Sequence, residues 1–160
     1  MSLVDKQDEK MRTITEIIVH AAYTKPSMDI GADEIRRWHT DPKPKGRGWL
    51  DIAYNYVIRR NGRIENGRDL DKDGDVDEEV GAHSFGHNAH SIGICLVGGM
   101  DVHGKPDSNF TLPQFLTLKI LFDNLKTLYP EAKLLGHRDI SSKPCPCFDV
   151  HELLKYSGVR

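Results

Sequence analysis

The stretch ITEIIVH, residues 14–20, decides the fold that we expect of this chain. Isoleucine and valine dominate it, and a short β-branched apolar run is typical of a buried strand. A second apolar run, SIGICLV at residues 91–97, ends at Gly98-Gly99, and residues 133–137 predict a third, shorter strand. Buried runs of this kind are common in sheets that are covered on both faces.

A β-hairpin is the next feature that the pattern predicts. Residues 51–59 (DIAYNYVIR) are expected to form a strand, and Asn61-Gly62 follows directly. Both turn residues tolerate positive φ, so they favour a two-residue turn that returns residues 63–66 antiparallel.

Apolar spacing predicts three helices, over residues 32–39, 111–128 and 149–156. Strands interleaved with helices, with one hairpin among them, predict an α/β single domain with a central mixed β-sheet flanked by helices. We expect this domain to span residues 13–160 and to follow a polar N-terminal tail of residues 1–12.

Composition excludes several classes of protein. The chain has 160 residues, with 22 basic and 24 acidic side chains and a formal net charge of −2, so no excess of positive charge attracts nucleic acid. Three cysteines do not support a disulfide scaffold. No apolar run is long enough for a membrane helix, and the N-terminus lacks the apolar core of a secretory signal, which predicts a protein made in the cytoplasm.

Three residues have the chemistry of a metal site. His20 ends the first predicted strand, His137 ends another, and Cys145 follows in a proline-stiffened loop. Two imidazoles and one thiolate leave a fourth position open, as in catalytic rather than structural zinc sites. The alternative for His20 alone is a hydrogen-bonded structural histidine.

Five stretches carry a resemblance to a known family. They are IIVHAAYTKPS, EIRRWH, GWLDIAYNYVIRRNG, GAHSFGHNAHSIGICLVGG and GHRDISSKPCPCFD, and together they cover nearly all of residues 14–150. In this order they resemble the zinc-dependent N-acetylmuramoyl-L-alanine amidases of the type shared by bacteriophage amidase-lysozymes and peptidoglycan recognition proteins. The resemblance implies the corresponding amidase/peptidoglycan-recognition-like fold.

The resemblance also implies roles for individual residues. His20, His137 and Cys145 correspond to the ligands of one zinc ion, while Tyr54 and Lys143 correspond to catalytic groups. Tyr54 and Lys143 are suited to donate to a developing oxyanion, and Tyr54 is alternatively suited to orient or deprotonate a water. Without the resemblance, Lys143 is an ordinary surface lysine and Tyr54 an ordinary sheet residue.

The implied function is hydrolysis of the amide between N-acetylmuramic acid and L-alanine, with bacterial peptidoglycan as the partner. Such a lytic enzyme, of a phage or prophage, is expected to stay cytoplasmic until it is released to the cell wall, and to act as a monomer without membrane or nucleic acid. The alternative is a non-catalytic peptidoglycan-binding module of the same fold. Cys145 favours the enzyme, because non-catalytic relatives commonly lack this cysteine.

Three histidines lie within the eight residues 83–90, which leaves two interpretations. They are either a second metal site or part of one wall of the substrate groove. The resemblance favours the wall, with His83 and Asn88 as substrate-binding residues and His87 and His90 less regular.

An acidic run resembles the first half of an EF-hand calcium loop. Oxygen ligands would come from Asp69, Asp71, Asp73 and Asp75, but the twelfth position is Val80 rather than glutamate. We therefore favour a solvated acidic loop, with weak calcium binding as the alternative and an unrelated calcium-dependent regulatory protein as a distant rival.

Two cysteines remain. Cys95, within SIGICLV, is predicted to be a core residue. Cys147 lies two residues after Cys145, too close for an unstrained disulfide, and the sequence assigns it no role.

Overall fold

The structure is a computed structural model that describes residues 12–155. Its centre is a sheet with the strand order β3-β2-β4-β1-β5. The strands are β1 (Glu16–Ala21), β2 (Tyr56–Ile58), β3 (Ile64–Asn66), β4 (Ser91–Leu96) and β5 (Lys133–Gly136). Neighbouring strands are parallel except for the β2–β3 hairpin, so the predicted mixed sheet is confirmed.

Three α-helices accompany the sheet in the described part of the chain: α1 (Ala32–Thr40), α2 (Leu112–Leu128) and α3 (Val150–Leu154). Thr111 begins α2 with a capping box, in which its hydroxyl accepts from the Gln114 N–H at 3.2 Å and its own N–H donates to Gln114 Oε1 at 3.0 Å. The amide of Gln114 is buried and donates to the carbonyls of Ile58 and Val97. This contact ties the start of α2 to the sheet.

The sheet has a hydrophobic cluster on each face. Alternate residues of β4, such as Ile92 and Ile94, pack with Leu118 and other residues of α2 on one face. On the opposite face Cys95 packs with Ile35 of α1. Because side chains alternate along a strand, this second face is also the face of His20 on β1.

The hairpin is confirmed, but the predicted two-residue turn is wrong. The Arg59 N–H donates to the Arg63 carbonyl at 2.9 Å, so residues 60–62 form a three-residue connection, in which Gly62 has a positive φ of 89° and Asn61 does not.

Strand β2 is also shorter than the predicted strand 51–59. Asn55 explains the difference, because its side chain accepts from the Gly93 N–H at 2.8 Å and donates to the carbonyls of Val76 and Glu79. A side chain thus takes the place of regular ladder bonds next to β4, and residues 51–55 run as irregular chain.

The two ends of the chain bear on two predictions. Residues 1–11 and 156–160 lie outside the described residues. These two segments comprise most of the predicted tail and the last residue of the predicted helix 149–156. Arg12 is described, and its guanidinium donates to the backbone carbonyls of Asp77, Glu79 and Asn88. Between residues 12 and 155 no helix combines the length and the apolar character that crossing a membrane requires.

Candidate active site and metal centre

The residues predicted to hold zinc meet at one edge of the sheet. His20 lies near the carboxyl end of β1, and His137 follows directly after the neighbouring parallel strand β5. Cys145 reaches the same point from the loop that follows. One potential ligand atom from each of these three residues lies within 4.8 Å of the other two.

The geometry around His20 identifies which ring nitrogen faces the cluster. Its Nδ1 lies 3.8 Å from Cys145 Sγ, and its ring centroid lies 4.5 Å from that of His137. The Ala21 N–H donates to Cys145 Sγ at 3.2 Å. Ligands that share a zinc at 2.0–2.3 Å in tetrahedral geometry lie about 3.3–3.8 Å apart, so the His20–Cys145 distance suits a shared metal.

Burial gives the cluster protonation states that suit a cation. It holds the pKa of His20 well below its usual value, so the imidazole is neutral and its lone pair is free to bind a metal. Burial also lowers the pKa of His137, with the charge of Lys143 as a second cause. The same desolvation raises the pKa of the Cys145 thiol to about 12, so this thiol ionises at neutral pH only where a positive charge compensates it.

His83 lies behind His20. Its Nδ1 is 2.9 Å from Nε2 of His20, the nitrogen that faces away from Cys145, and the Ser84 hydroxyl is 3.3 Å from the same Nε2. Burial lowers the pKa of His83 to about 3 and keeps this ring neutral. Gly93 of β4 lies beneath it, where a Cβ would stand 2.5 Å from the ring carbons of His83.

Asn88 supports this arrangement from the backbone. Its side-chain oxygen accepts from the N–H groups of His83 and Ser84, both at 2.9 Å. His83 lines the cavity described next, whereas Asn88 is not among its lining residues. Substrate binding by His83 and Asn88 stays a prediction.

A cavity of about 350 Å³ opens over the cluster, and both predicted catalytic residues line it. The ring of Tyr54 lies 5.2 Å from that of His20, and its hydroxyl is hydrogen-bonded to the Cys95 thiol. Burial raises the pKa of Tyr54 well above its usual value. Lys143 is exposed and also lines the cavity.

One wall of the cavity consists of Trp38, His39, Arg47 and Trp49, which the sequence did not single out as site residues, although all but Arg47 lie in the stretches EIRRWH and GWLD. The His39 ring is 5.0 Å from Trp49, and the Arg47 guanidinium lies 4.8 Å over the Trp49 ring. His39 Nδ1 accepts from the Ala53 N–H, and burial lowers its pKa to about 4. Trp38, 40% exposed, completes this wall.

The acidic loop folds back on itself. Asp69 accepts from the Gly74 N–H at 2.9 Å, and carboxylate oxygens of Asp69, Asp71 and Asp73 lie within 4.8 Å of one another. Asp77, at the ninth position of the calcium pattern, instead accepts hydrogen bonds from two tyrosines, Tyr56 and Tyr129. Exposed carboxylates cluster in this way without an ion as well, so the solvated loop stays the prediction and weak calcium binding its alternative.

The remaining cysteines are free thiols. Cys95 is fully buried, as predicted, and contacts Tyr54. Cys147 adopts a positive φ of 76° and its thiol donates to the Gly99 carbonyl at 3.4 Å. Cys147 is therefore a neighbour of the cluster with its own backbone partner.

A larger apolar groove of about 540 Å³ lies between α2 and α3. It is lined by residues such as Leu116 and Phe148 and contains none of the predicted site residues.

A mixed sheet with two histidines and a cysteine at its carboxyl edge, beneath an open cavity, defines an α/β domain with a candidate metal centre. The sequence profile of the N-acetylmuramoyl-L-alanine amidase family matches residues 10–148. The chain belongs to this family.

Individual relatives agree with the family profile. The chain is 44% identical over 144 residues to an endolysin of Klebsiella phage KP32, and the matched region covers 90% of this chain and 87% of the relative. It is also 44% identical over 142 residues to the endolysin of Escherichia phage T7, covering 88% of this chain and 86% of that one.

Solved structures show the same fold. The amidase LysC from Clostridium intestinale URNW superposes with a TM-score of 0.71 at 25% identity, over 93% of this chain and 88% of that chain. With the family and these relatives established, the activity is hydrolysis of the N-acetylmuramoyl-L-alanine amide of peptidoglycan.

Proposed function

We propose that the hydrolysis is zinc-dependent and that His20, His137 and Cys145 hold one zinc ion per chain. The observation that carries this proposal is the convergence of two neutral imidazoles and one buried thiol at the carboxyl edge of the sheet. This donor set fits zinc, since imidazole and thiolate are its preferred ligands and three protein ligands leave a position for substrate or water. Bound zinc supplies Lewis-acid polarisation of the scissile carbonyl and activation of water.

His83 acts as a positioning residue in this proposal. With Nδ1 of His20 turned to the cluster, Nε2 carries the proton and donates to Nδ1 of His83 at 2.9 Å. A hydrogen bond of this kind fixes the tautomer and the ring orientation of a metal ligand. Ser91, whose hydroxyl lies 3.4 Å from His83 Nε2, continues the chain of contacts.

Tyr54 and Lys143 complete the catalytic group that we propose. The raised pKa of Tyr54 keeps its hydroxyl protonated, which favours donation to the developing oxyanion over removal of a proton from water. Lys143 brings a second donor and a positive charge to the same cavity. Both groups stabilise negative charge that grows on the carbonyl oxygen as the amide is attacked.

The wall formed by Trp38, His39, Arg47 and Trp49 is suited to hold the substrate beside the cluster. Indole faces stack on sugar rings and on peptide planes, and the Arg47 guanidinium pairs with carboxylates of a stem peptide. We propose that this wall orients the muramyl peptide.

Two further expectations belong to the same proposal. A single chain suffices for activity, and the protein reaches peptidoglycan from the cytoplasm.

Cys145→Ser tests the zinc proposal, with Cys147→Ser as the matched control. Cys147 is two residues away and contacts the Gly99 carbonyl, a contact that a serine hydroxyl is able to keep. We expect Cys145→Ser to lose bound zinc and the clearing of cell-wall suspensions, and Cys147→Ser to retain both. Undiminished lysis by Cys145→Ser would exclude the proposed ligand set.

Mass spectrometry of the digests identifies the bond that is cut. The wild type should release stem peptides that begin with L-alanine. Retention on peptidoglycan without release of such peptides would instead identify a non-catalytic binding module.

A further inference from the structure

A second group of metal-binding side chains lies outside the active site. Glu16 begins β1, and its Oε1 lies 2.8 Å from His87 Nδ1 and 3.2 Å from His90 Nε2. These three atoms come from a different set of residues than the proposed zinc ligands, and all of them lie within 4.8 Å of one another.

Local structure explains why the two imidazoles converge. A 3₁₀-helix runs over Asn88–His90, with His87 as the residue that precedes it. A 3₁₀-helix has three residues per turn, so side chains at i and i+3 are eclipsed and His87 and His90 lie on one side of it. Their ring centroids are 5.9 Å apart.

The sheet brings Glu16 to the same place. Glu16 pairs with Ser91, the residue after His90, in the parallel register of β1 and β4, and the Thr15 N–H donates to the His90 carbonyl at 2.9 Å. The backbone positions of all three side chains are therefore set by secondary structure. A site built in this way needs only side-chain rotation to accept a ligand.

We propose that Glu16, His87 and His90 form a second site, for a divalent transition metal such as zinc or nickel. Nitrogen and oxygen ligands at 2.0–2.2 Å in octahedral or tetrahedral geometry lie about 2.8–3.5 Å apart. The 2.8 and 3.2 Å separations lie in this range. Two imidazoles with one carboxylate select zinc, nickel or copper over calcium and magnesium, which prefer oxygen ligands alone.

The surroundings suit a partly open site. The side chains of Glu16, His87 and His90 are 18%, 31% and 42% exposed, so water has access to the remaining coordination positions. Glu16 and His20 lie four residues apart on one face of β1, which separates their backbones by about 13 Å at the usual strand rise. A metal held here would brace residues 83–90, the segment that carries His83, against the strand that carries His20.

Zinc stoichiometry after equilibrium dialysis against excess zinc tests the proposal. We expect two zinc ions per wild-type chain, and one each for His90→Ala and Glu16→Gln. His151→Ala is the matched control, because His151 also contacts a carboxylate, Asp139 at 3.1 Å, but belongs to no group of three potential metal ligands within residues 12–155. This control should keep two ions.

Cys145→Ser separates the two sites. In this variant zinc should bind only at the second site, giving one zinc ion per chain. Adding His90→Ala to Cys145→Ser should remove that ion. An unchanged zinc content in both His90→Ala and Glu16→Gln relative to the wild type, or no zinc bound by Cys145→Ser, would overturn the second site whatever happens at the first. Thermal unfolding at one and at two equivalents of zinc provides an independent readout, since only chains with the second site should gain stability from the second equivalent.

Discussion

Gly93→Ala tests whether the ring of His83 orients the zinc ligand His20. A Cβ at position 93 would stand 2.5 Å from two ring carbons of His83 and 2.7 Å from its Nε2. Carbon atoms pack at about 3.5 Å or more, so the ring must shift by about 1 Å. The shift extends the 2.9 Å contact with His20 beyond a normal hydrogen bond.

The expected loss follows from the role of such a partner. Removing the hydrogen-bond partner of a ligating histidine costs about 10–100-fold in metal affinity, or about 1.4–2.7 kcal/mol. We therefore expect Gly93→Ala to bind zinc 10–100-fold more weakly in competition with a chelator at neutral pH. Lysis at limiting zinc should fall in parallel, and recover when zinc is supplied in excess.

A double-mutant cycle with His83→Ala decides whether the effect passes through the ring. His83→Ala removes the side chain that the new methyl group meets, so adding Gly93→Ala to it should cost no further zinc affinity. A full additional loss in the double variant, or wild-type affinity in Gly93→Ala, would refute the reasoning.

Three further predictions concern other parts of the molecule. Tyr54→Phe and Lys143→Ala should each lower turnover about 10²-fold while zinc content is unchanged, and loss of zinc in either would mean a structural role. In metal-free protein, the free energy of unfolding should fall as pH drops from 6.5 towards 4, because unfolded chains protonate the histidine at position 39 while burial holds its folded pKa at about 4. In His39→Asn the amide oxygen replaces the Nδ1 acceptor, and the fall in unfolding free energy between pH 6.5 and pH 4, measured by denaturant titration, should be smaller by about 2 kcal/mol. This is less than the full pKa shift implies, because the ring borders the open cavity. An unchanged pH dependence of the unfolding free energy in His39→Asn would contradict this prediction. If the acidic loop binds calcium, millimolar calcium should raise the unfolding midpoint of the wild type and of Asp123→Asn by a few degrees but not that of Asp71→Asn, and equal midpoints in calcium and in chelator would show a solvated loop.

Much of the fold follows from the sequence because its strongest signals are local. The apolar runs at residues 14–20 and 91–97 match β1 and β4 to within two residues at either end, and Asn61-Gly62 lies in the connection of the hairpin, although that connection is one residue longer than predicted. The irregular segment 51–55 could not be predicted in this way. Its conformation depends on hydrogen bonds from the Asn55 side chain to residues more than 20 positions away, which alternation of apolar residues does not report.

The site divides in a similar way. The resemblance identified His20, His137 and Cys145 as one set, although 125 positions separate the first from the last. The contact between His83 and His20 also joins residues far apart in sequence, 63 positions, and residue type alone does not distinguish a buried partner of a ligand from a residue that touches substrate. The convergence of His87 and His90 on Glu16 depends on the parallel register of β1 and β4, which no single segment encodes.

Asp77 has a consequence for how the acidic loop tolerates change. The phenol groups of Tyr56, on β2, and Tyr129, which follows α2, both end on this one carboxylate. A deletion that includes residue 77 leaves two partly buried hydroxyls without their acceptor, whereas one confined to residues 70–75 leaves that junction intact. Residues 70–75 should therefore tolerate replacement by loops of other lengths. Replacements that extend past Val76 to residue 77 should destabilise the protein.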